Sequence, residues 1–234
     1  MTGSAGDEID RIAKRYERRD SVPLGRYSRL NADVLAASQE RQRALVSLLK
    51  AHGTSDLADL DIIEIGCGVG ANLVELLFLG AAPARLLGNE LLAGRIEQAR
   101  MRLPGSVTLM PGDAAELPLA AASFDIVYQS VVFSSILDDA FQNELAAAMW
   151  RWVRPGGGVL WYDFIYDNPS NPDVRGVPLR RVHELFPEGR FRTRRVTLAP
   201  PIARRVVRLH RAMYGVCNIL PMLRTHVLCL IEKP

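Results

Sequence analysis

The residues of this chain best suited to chemistry fall at three points: a glycine-rich turn, Gly66-Cys67-Gly68-Val69-Gly70, and two carboxylates downstream of it, Glu90 and Asp113. The turn follows Asp61-Ile62-Ile63-Glu64-Ile65, a short apolar run that reads as a strand buried on both faces. Asn72-Leu73-Val74-Glu75-Leu76-Leu77 continues with helical spacing. Strand, glycine turn and helix make the first unit of a nucleotide-binding α/β domain. With side chains missing at alternate positions, a ligand can lie on the backbone, and the helix N-terminus offers it free N–H groups and a partial positive charge. Glu90 lies twenty positions past Gly70, where a second strand would end. A carboxylate at such a tip can accept two hydrogen bonds from vicinal ribose hydroxyls.

Those residues need elements to position them, and the chain supplies them in order. Asp7 to Asp20 carries Ile9, Ile12, Ala13 and Tyr16 on one helical face, and Val22-Pro23-Leu24-Gly25 breaks it. Asn31 is placed to cap a second helix, ended by Gly53, that buries Leu45, Leu48 and Leu49. Arg85-Leu86-Leu87-Gly88 reads as the second strand, Leu91 to Arg102 as a helix, and Ser106 to Met110 as the third strand. Ser123 to Tyr128 is the fourth, and Asp138 to Val153 a helix with Phe141, Leu145, Met149 and Trp152 on one stripe. Val159 to Phe164 is the fifth strand, and Tyr166 to Pro178 an irregular loop over the ligand-binding edge. A short helix over Leu179 to Phe186 and a strand over Arg190 to Leu198 follow. From Pro200 onward Ile202, Val206, Leu209, Met213 and Val216 keep helical spacing, so one helix is expected there before a closing strand, Thr225 to Ile231.

Composition narrows the function classes. The length, 234 residues, suits one large domain, and 48% hydrophobic with 24% charged residues is ordinary for a globular protein. The opening MTGSAGDEID lacks the basic and apolar segments of a signal peptide, and no apolar run reaches the length of a membrane span. A cytoplasmic protein with no membrane partner is expected. Cys67, Cys217 and Cys229 show no metal-ligand or CxxC spacing, and His52, His183, His210 and His226 form no HxxxH pair, so no metal site is expected. The net charge of +3 hides an asymmetry: eleven arginines and two acidic residues lie between Arg175 and Arg211. We read that cluster as a solvated face rather than a nucleic-acid site.

The glycine turn with Glu64 before it, Glu90 after it, Gly112-Asp113-Ala114 followed by Leu117-Pro118, the segment Ser123-Phe124-Asp125-Ile126-Val127, and Pro155-Gly156-Gly157 before an apolar strand together resemble the class I S-adenosylmethionine-dependent methyltransferases. The type 11 small-molecule branch looks nearest. The resemblance implies a Rossmann-like α/β fold: a seven-stranded, mostly parallel sheet with an antiparallel last strand and helices on both faces. It also implies a helical N-terminal lid over residues 1–56, a core over 57–234, and a helical insertion at about 200–220. Its cofactor would be S-adenosylmethionine, and its partner a small-molecule methyl acceptor. Cofactor contacts are then expected from Glu64, Gly66, Cys67, Gly68, Gly70 and Asn72, and from Glu90 with Leu91. Asp113 would accept from the adenine amine while the Ala114 N–H reaches a ring nitrogen. Gln129 and Ser130 would lie under the sulfonium, and Tyr27 and Arg29 would reach the methionine end. Leu91 departs from a usually polar position.

Methyl transfer from a sulfonium asks the protein to hold donor and acceptor in line and to exclude water. If the acceptor must lose a proton, Asp163 at the end of the fifth strand and His183 are the candidate bases. Two other readings stay open: an RNA methyltransferase using the arginine cluster, and a non-catalytic module that has kept the cofactor cleft.

Overall fold

The structure is a computed structural model, and it describes residues 5–19, 24–169 and 171–234. Its centre is a seven-stranded sheet of order β3-β2-β1-β4-β5-β7-β6. The strands are β1 (Ile62–Ile65), β2 (Leu86–Glu90), β3 (Thr108–Pro111), β4 (Phe124–Ser130), β5 (Val153–Phe164), β6 (Arg190–Leu198) and β7 (Arg224–Glu232). The first five are parallel to one another, and β7 runs antiparallel to both β5 and β6. The expected Rossmann-like architecture is therefore present.

The β-branched run of β1 explains its central place. Ile62, Ile63 and Ile65 have almost no exposed surface. Because strand side chains alternate, Ile62 joins the core under one face and Ile63 and Ile65 the core under the other. The first face packs against α2 (Ala32–His52), α3 (Ala71–Phe78) and α4 (Ala93–Arg102) through Leu45, Leu48, Leu73 and Ala99. The second packs against α5 (Asp139–Trp152) and α6 (Leu179–Leu185), where Phe133, Trp161 and Phe186 form a chain of tilted and edge-on ring contacts. Asp138 caps α5 through hydrogen bonds from Ala140 and Phe141. Asn31 precedes α2 as expected, but its side chain donates to the carbonyls of Gly25 and Arg26 instead of capping the helix.

The N-terminal helix α1 (Ala5–Arg19) joins the second face, with Ile12 buried and Ile9 and Tyr16 packed beside it. Residues 20–23, where the sequence predicted a break, lie outside the described residues. A second expectation is corrected. The single helix predicted after Pro200 is two helices, α7 (Pro200–Leu209) and α8 (Met213–Asn218), separated at His210–Ala212. Their predicted apolar stripe is not buried throughout: Leu209 is 81% and Val216 54% exposed.

Candidate active site

A cleft with about 500 Å³ of empty space, part of it open solvent, lies at the carboxyl edge of the parallel strands. Its floor is built from successive strand ends: Ile65 and Gly66 after β1, Asn89 to Leu91 after β2, Gly112 to Ala114 after β3, and Val132 after β4. This is the crevice in which open α/β sheets bind ligands. Phe141 and Leu145 of α5 form one wall, and Ile9, Ile12 and Tyr16 of α1 close it from above.

Glu90 sits where the register makes it opposite Pro111. One of its oxygens accepts the Gly68 N–H at 2.9 Å and the other the Leu92 N–H at 2.9 Å. Each oxygen keeps a further lone pair for a hydroxyl donor. Asp113 accepts from the Ala115 N–H at 2.9 Å with one oxygen, and burial raises its pKa above the ordinary carboxylate value. Its other oxygen and the Ala114 N–H have no hydrogen-bond partner among the described residues. At Gly68, where φ is +56°, an added Cβ would meet nothing within 4 Å. At Gly66 it would lie 2.6 Å from Val132 Cγ2, and at Gly70 2.8 Å from Leu103 Cδ1. Gly66 and Gly70 thus serve packing, and Gly68 leaves open space beside the Glu90 carboxylate.

Glu64 is fully buried below this turn. Asn72 donates to one of its oxygens at 2.6 Å, and the other oxygen has no partner among the described residues. Burial pushes its pKa up to about 8, against the opposing pull of Asn72 and Arg41. The Cys67 thiol is likewise buried and raised by desolvation, so it is an inert small side chain here.

The remaining sequence candidates stand apart from the cavity lining. Gln129 is fully buried and holds the turn after β4 by accepting from the Val132 N–H at 3.1 Å. Ser130, the last residue of β4, and Asn72 also lie outside the lining. Tyr27 is 70% exposed, and Arg29 reaches Glu75 at 3.7 Å instead. His183, on α6, is exposed and packs its ring 3.8 Å from that of Phe191. Asp163 has no exposed surface and accepts from the backbone N–H groups of Ser134 and Phe164. Neither candidate base therefore lines the cavity.

Three contributors were not read from the sequence. Asn89, 2% exposed, donates to the carbonyls of Met110 and Gly112 at 3.1 and 3.0 Å and so fixes the turn that presents Asp113. Its position beside Glu90 was the available signal. Tyr16 and Ser135 bring polar atoms to the roof, linked to each other at 3.4 Å. Their contact spans 119 residues, and no local pattern encodes it.

Residues 62–157 match the family described as "Methyltransferase domain". The chain is 30% identical over 130 residues to the O-methyltransferase cnsE of Penicillium expansum, covering 53% of this chain and 44% of that protein. It is 32% identical over 105 residues to a probable S-adenosylmethionine-dependent methyltransferase of Mycolicibacterium smegmatis, covering 44% of this chain and 37% of the relative. The chain thus spans less than half the length of these two curated relatives. Among solved structures, an S-adenosylmethionine-dependent methyltransferase of Mesorhizobium loti superposes with a TM-score of 0.59 at 16% identity, over 87% of this chain and 98% of that one. Phosphoethanolamine N-methyltransferase 1 of Haemonchus contortus gives 0.65 at 16% identity, over 100% of this chain and 50% of that one. Residues 62–157 thus carry a methyltransferase domain, and the sheet order and strand-end cleft are those of the fold shared with these class I S-adenosylmethionine-dependent methyltransferases.

Proposed function

We propose that the chain binds S-adenosylmethionine in this cavity and transfers its methyl group to a small molecule by in-line displacement. The observation that carries the reading is the convergence of Glu90, Asp113 and the free Ala114 N–H on one cavity beside the Gly68 turn. When bound, the cofactor supplies an electrophilic methyl on an already good leaving group. Glu90 holds the vicinal ribose hydroxyls with its unused lone pairs. Asp113 takes the amine of the base, and the Ala114 N–H takes a ring nitrogen.

Catalysis on this reading rests on placement and dryness. Phe141, Leu145, Ile9 and Ile12 exclude water from the reacting centre. Asp163, held by the Ser134 N–H, shapes the turn that carries Ser135 to the roof and takes no proton. The Penicillium expansum relative is named an O-methyltransferase. A hydroxyl on a small apolar molecule is accordingly the first acceptor class to assay.

Calorimetry with S-adenosylhomocysteine and with NAD tests the reading. Micromolar or tighter binding of the first and none of the second is expected. Binding of NAD alone would overturn it.

A further inference from the structure

The insertion between β6 and β7 carries a surface that the methyl-transfer reading leaves unused. Arg204, Arg205 and Arg208 of α7 line one shallow concavity at its surface. None of the three makes a hydrogen bond or ion pair with a described residue, whereas Arg175, Arg181 and Arg192 of the same basic segment are each paired with acidic side chains. Beside them the chain exposes aliphatic surface: Leu209 is 81%, Ile219 71% and Met222 75% exposed. Five of the twelve exposed large hydrophobic residues among those described fall between Leu209 and Met222. Exposed apolar surface so concentrated marks an interaction site.

We propose that this insertion docks the protein onto an anionic phospholipid bilayer. Free guanidinium groups complement lipid phosphates and a negative leaflet, and adjacent aliphatic side chains enter the acyl boundary. Arginine also reaches headgroups while its methylene stem covers apolar surface. No helix among the described residues is long and apolar enough to cross a bilayer, so the contact is peripheral. The topology gives the docking a direction. β6 is antiparallel to β7, and β7 to β5, so the end of β6 and the start of β7 lie at the carboxyl edge of the parallel strands. The insertion therefore projects from the same edge as the cavity. RNA is the less suitable partner, because single-stranded binding uses aromatic stacking platforms and the exposed side chains here are aliphatic.

The test is co-sedimentation of the full chain with vesicles of phosphatidylcholine alone and of phosphatidylcholine mixed equally with phosphatidylglycerol. Binding to the mixed vesicles only, weakened by salt, is expected. The triple variant Arg204→Glu/Arg205→Glu/Arg208→Glu should lower vesicle affinity by about 100-fold or more. Leu209→Ser/Met222→Ser should lower it by about tenfold. Both variants should keep the parent's melting temperature and S-adenosylhomocysteine affinity, since none of these residues lines the cavity. The proposal is overturned if the parent ignores mixed vesicles, if either variant binds them as the parent does, or if RNA is retained and the vesicles are not. Cofactor binding is read separately, so loss of the methyltransferase reading would leave this result standing, and the reverse.

Discussion

The Glu90 carboxylate accepts the backbone N–H of Gly68 at 2.9 Å, which ties the tip of β2 to the glycine turn after β1. One side chain thus braces the turn from below and faces the cavity with what remains of its hydrogen-bonding capacity. Glu90→Ala should weaken S-adenosylhomocysteine binding by about 1–3 kcal/mol, through lost charge-assisted hydrogen bonds. Glu90→Gln keeps one acceptor oxygen and should fall between variant and parent. Calorimetry showing parent-like affinity for Glu90→Ala would remove Glu90 as the ribose anchor.

Glu64 gives a pH dependence with a definite sign. Its folded-state pKa is pushed up to about 8 by burial, above the ordinary carboxylate value, so the folded chain holds a proton the unfolded chain releases. Stability from this group is full below the unfolded pKa and declines as pH rises through the window up to about 8. Glu64→Gln fixes the neutral form. The melting temperature of the parent relative to this variant should therefore fall between mildly acid and mildly alkaline pH. A difference of a few kcal/mol, roughly 5–10 °C, is expected. Parallel melting curves across that range would show that Glu64 is ionised in the folded protein.

The parts of this fold carried by local chemistry were legible. β1, the glycine turn and Glu90 at its strand tip each depend on residues within a few positions of one another. What escaped depends on distant partners. The apolar spacing from Ile202 to Val216 continues through His210, but only Ala203 on α7 and Tyr214 on α8 are fully buried. Periodicity reports a helical face and not what covers it. Asp163 was placed at the ligand edge correctly by strand position, but alternation along β5 turns it to the same face as Trp161. There the Ser134 N–H claims it. Asn89 and Tyr16 act through bonds to β3 and to the loop after β4, which no spacing rule connects.

The docking of α1 rests on a buried ion pair. Arg15 donates to Glu8 at 2.8 Å and to the Ser135 carbonyl at 3.0 Å, and Glu8 accepts the Leu137 N–H at 3.1 Å. Removing Arg15 leaves the buried Glu8 carboxylate with only the longer ion pair to Arg11 at 3.8 Å, at a cost of up to about 3–5 kcal/mol when burial is complete. Because α1 joins no two strands of the sheet, the loss should appear as local undocking rather than global unfolding. Arg15→Ala should speed amide exchange in Ile9 to Tyr16 by at least about 30-fold, leave β1 protected, and hasten release of S-adenosylhomocysteine. Unchanged exchange in α1 would show that Ile12 and Tyr16 hold the helix without the ion pair.

The two outer glycines of the turn and the middle one should fail in different ways when given a methyl group. In Gly66→Ala the new Cβ lies 2.6 Å from Val132 Cγ2, in a backbone with φ of +64°. Overpacking and left-handed strain add, so a loss of about 2–4 kcal/mol in stability is expected. Val132→Ala in the same chain should recover the overpacking share and leave the strain. Gly68→Ala meets no neighbour within 4 Å, so only the left-handed cost of roughly 1–2 kcal/mol applies, and the protein should fold. Its methyl group instead occupies the open space beside the Glu90 carboxylate, where the ligand backbone contact is expected. S-adenosylhomocysteine affinity should then fall about tenfold or more while the melting temperature drops only a few degrees. A Gly68→Ala protein that binds the ligand as the parent does would mean that the cofactor does not approach this turn, and Gly68 would be removed from the expected cofactor contacts.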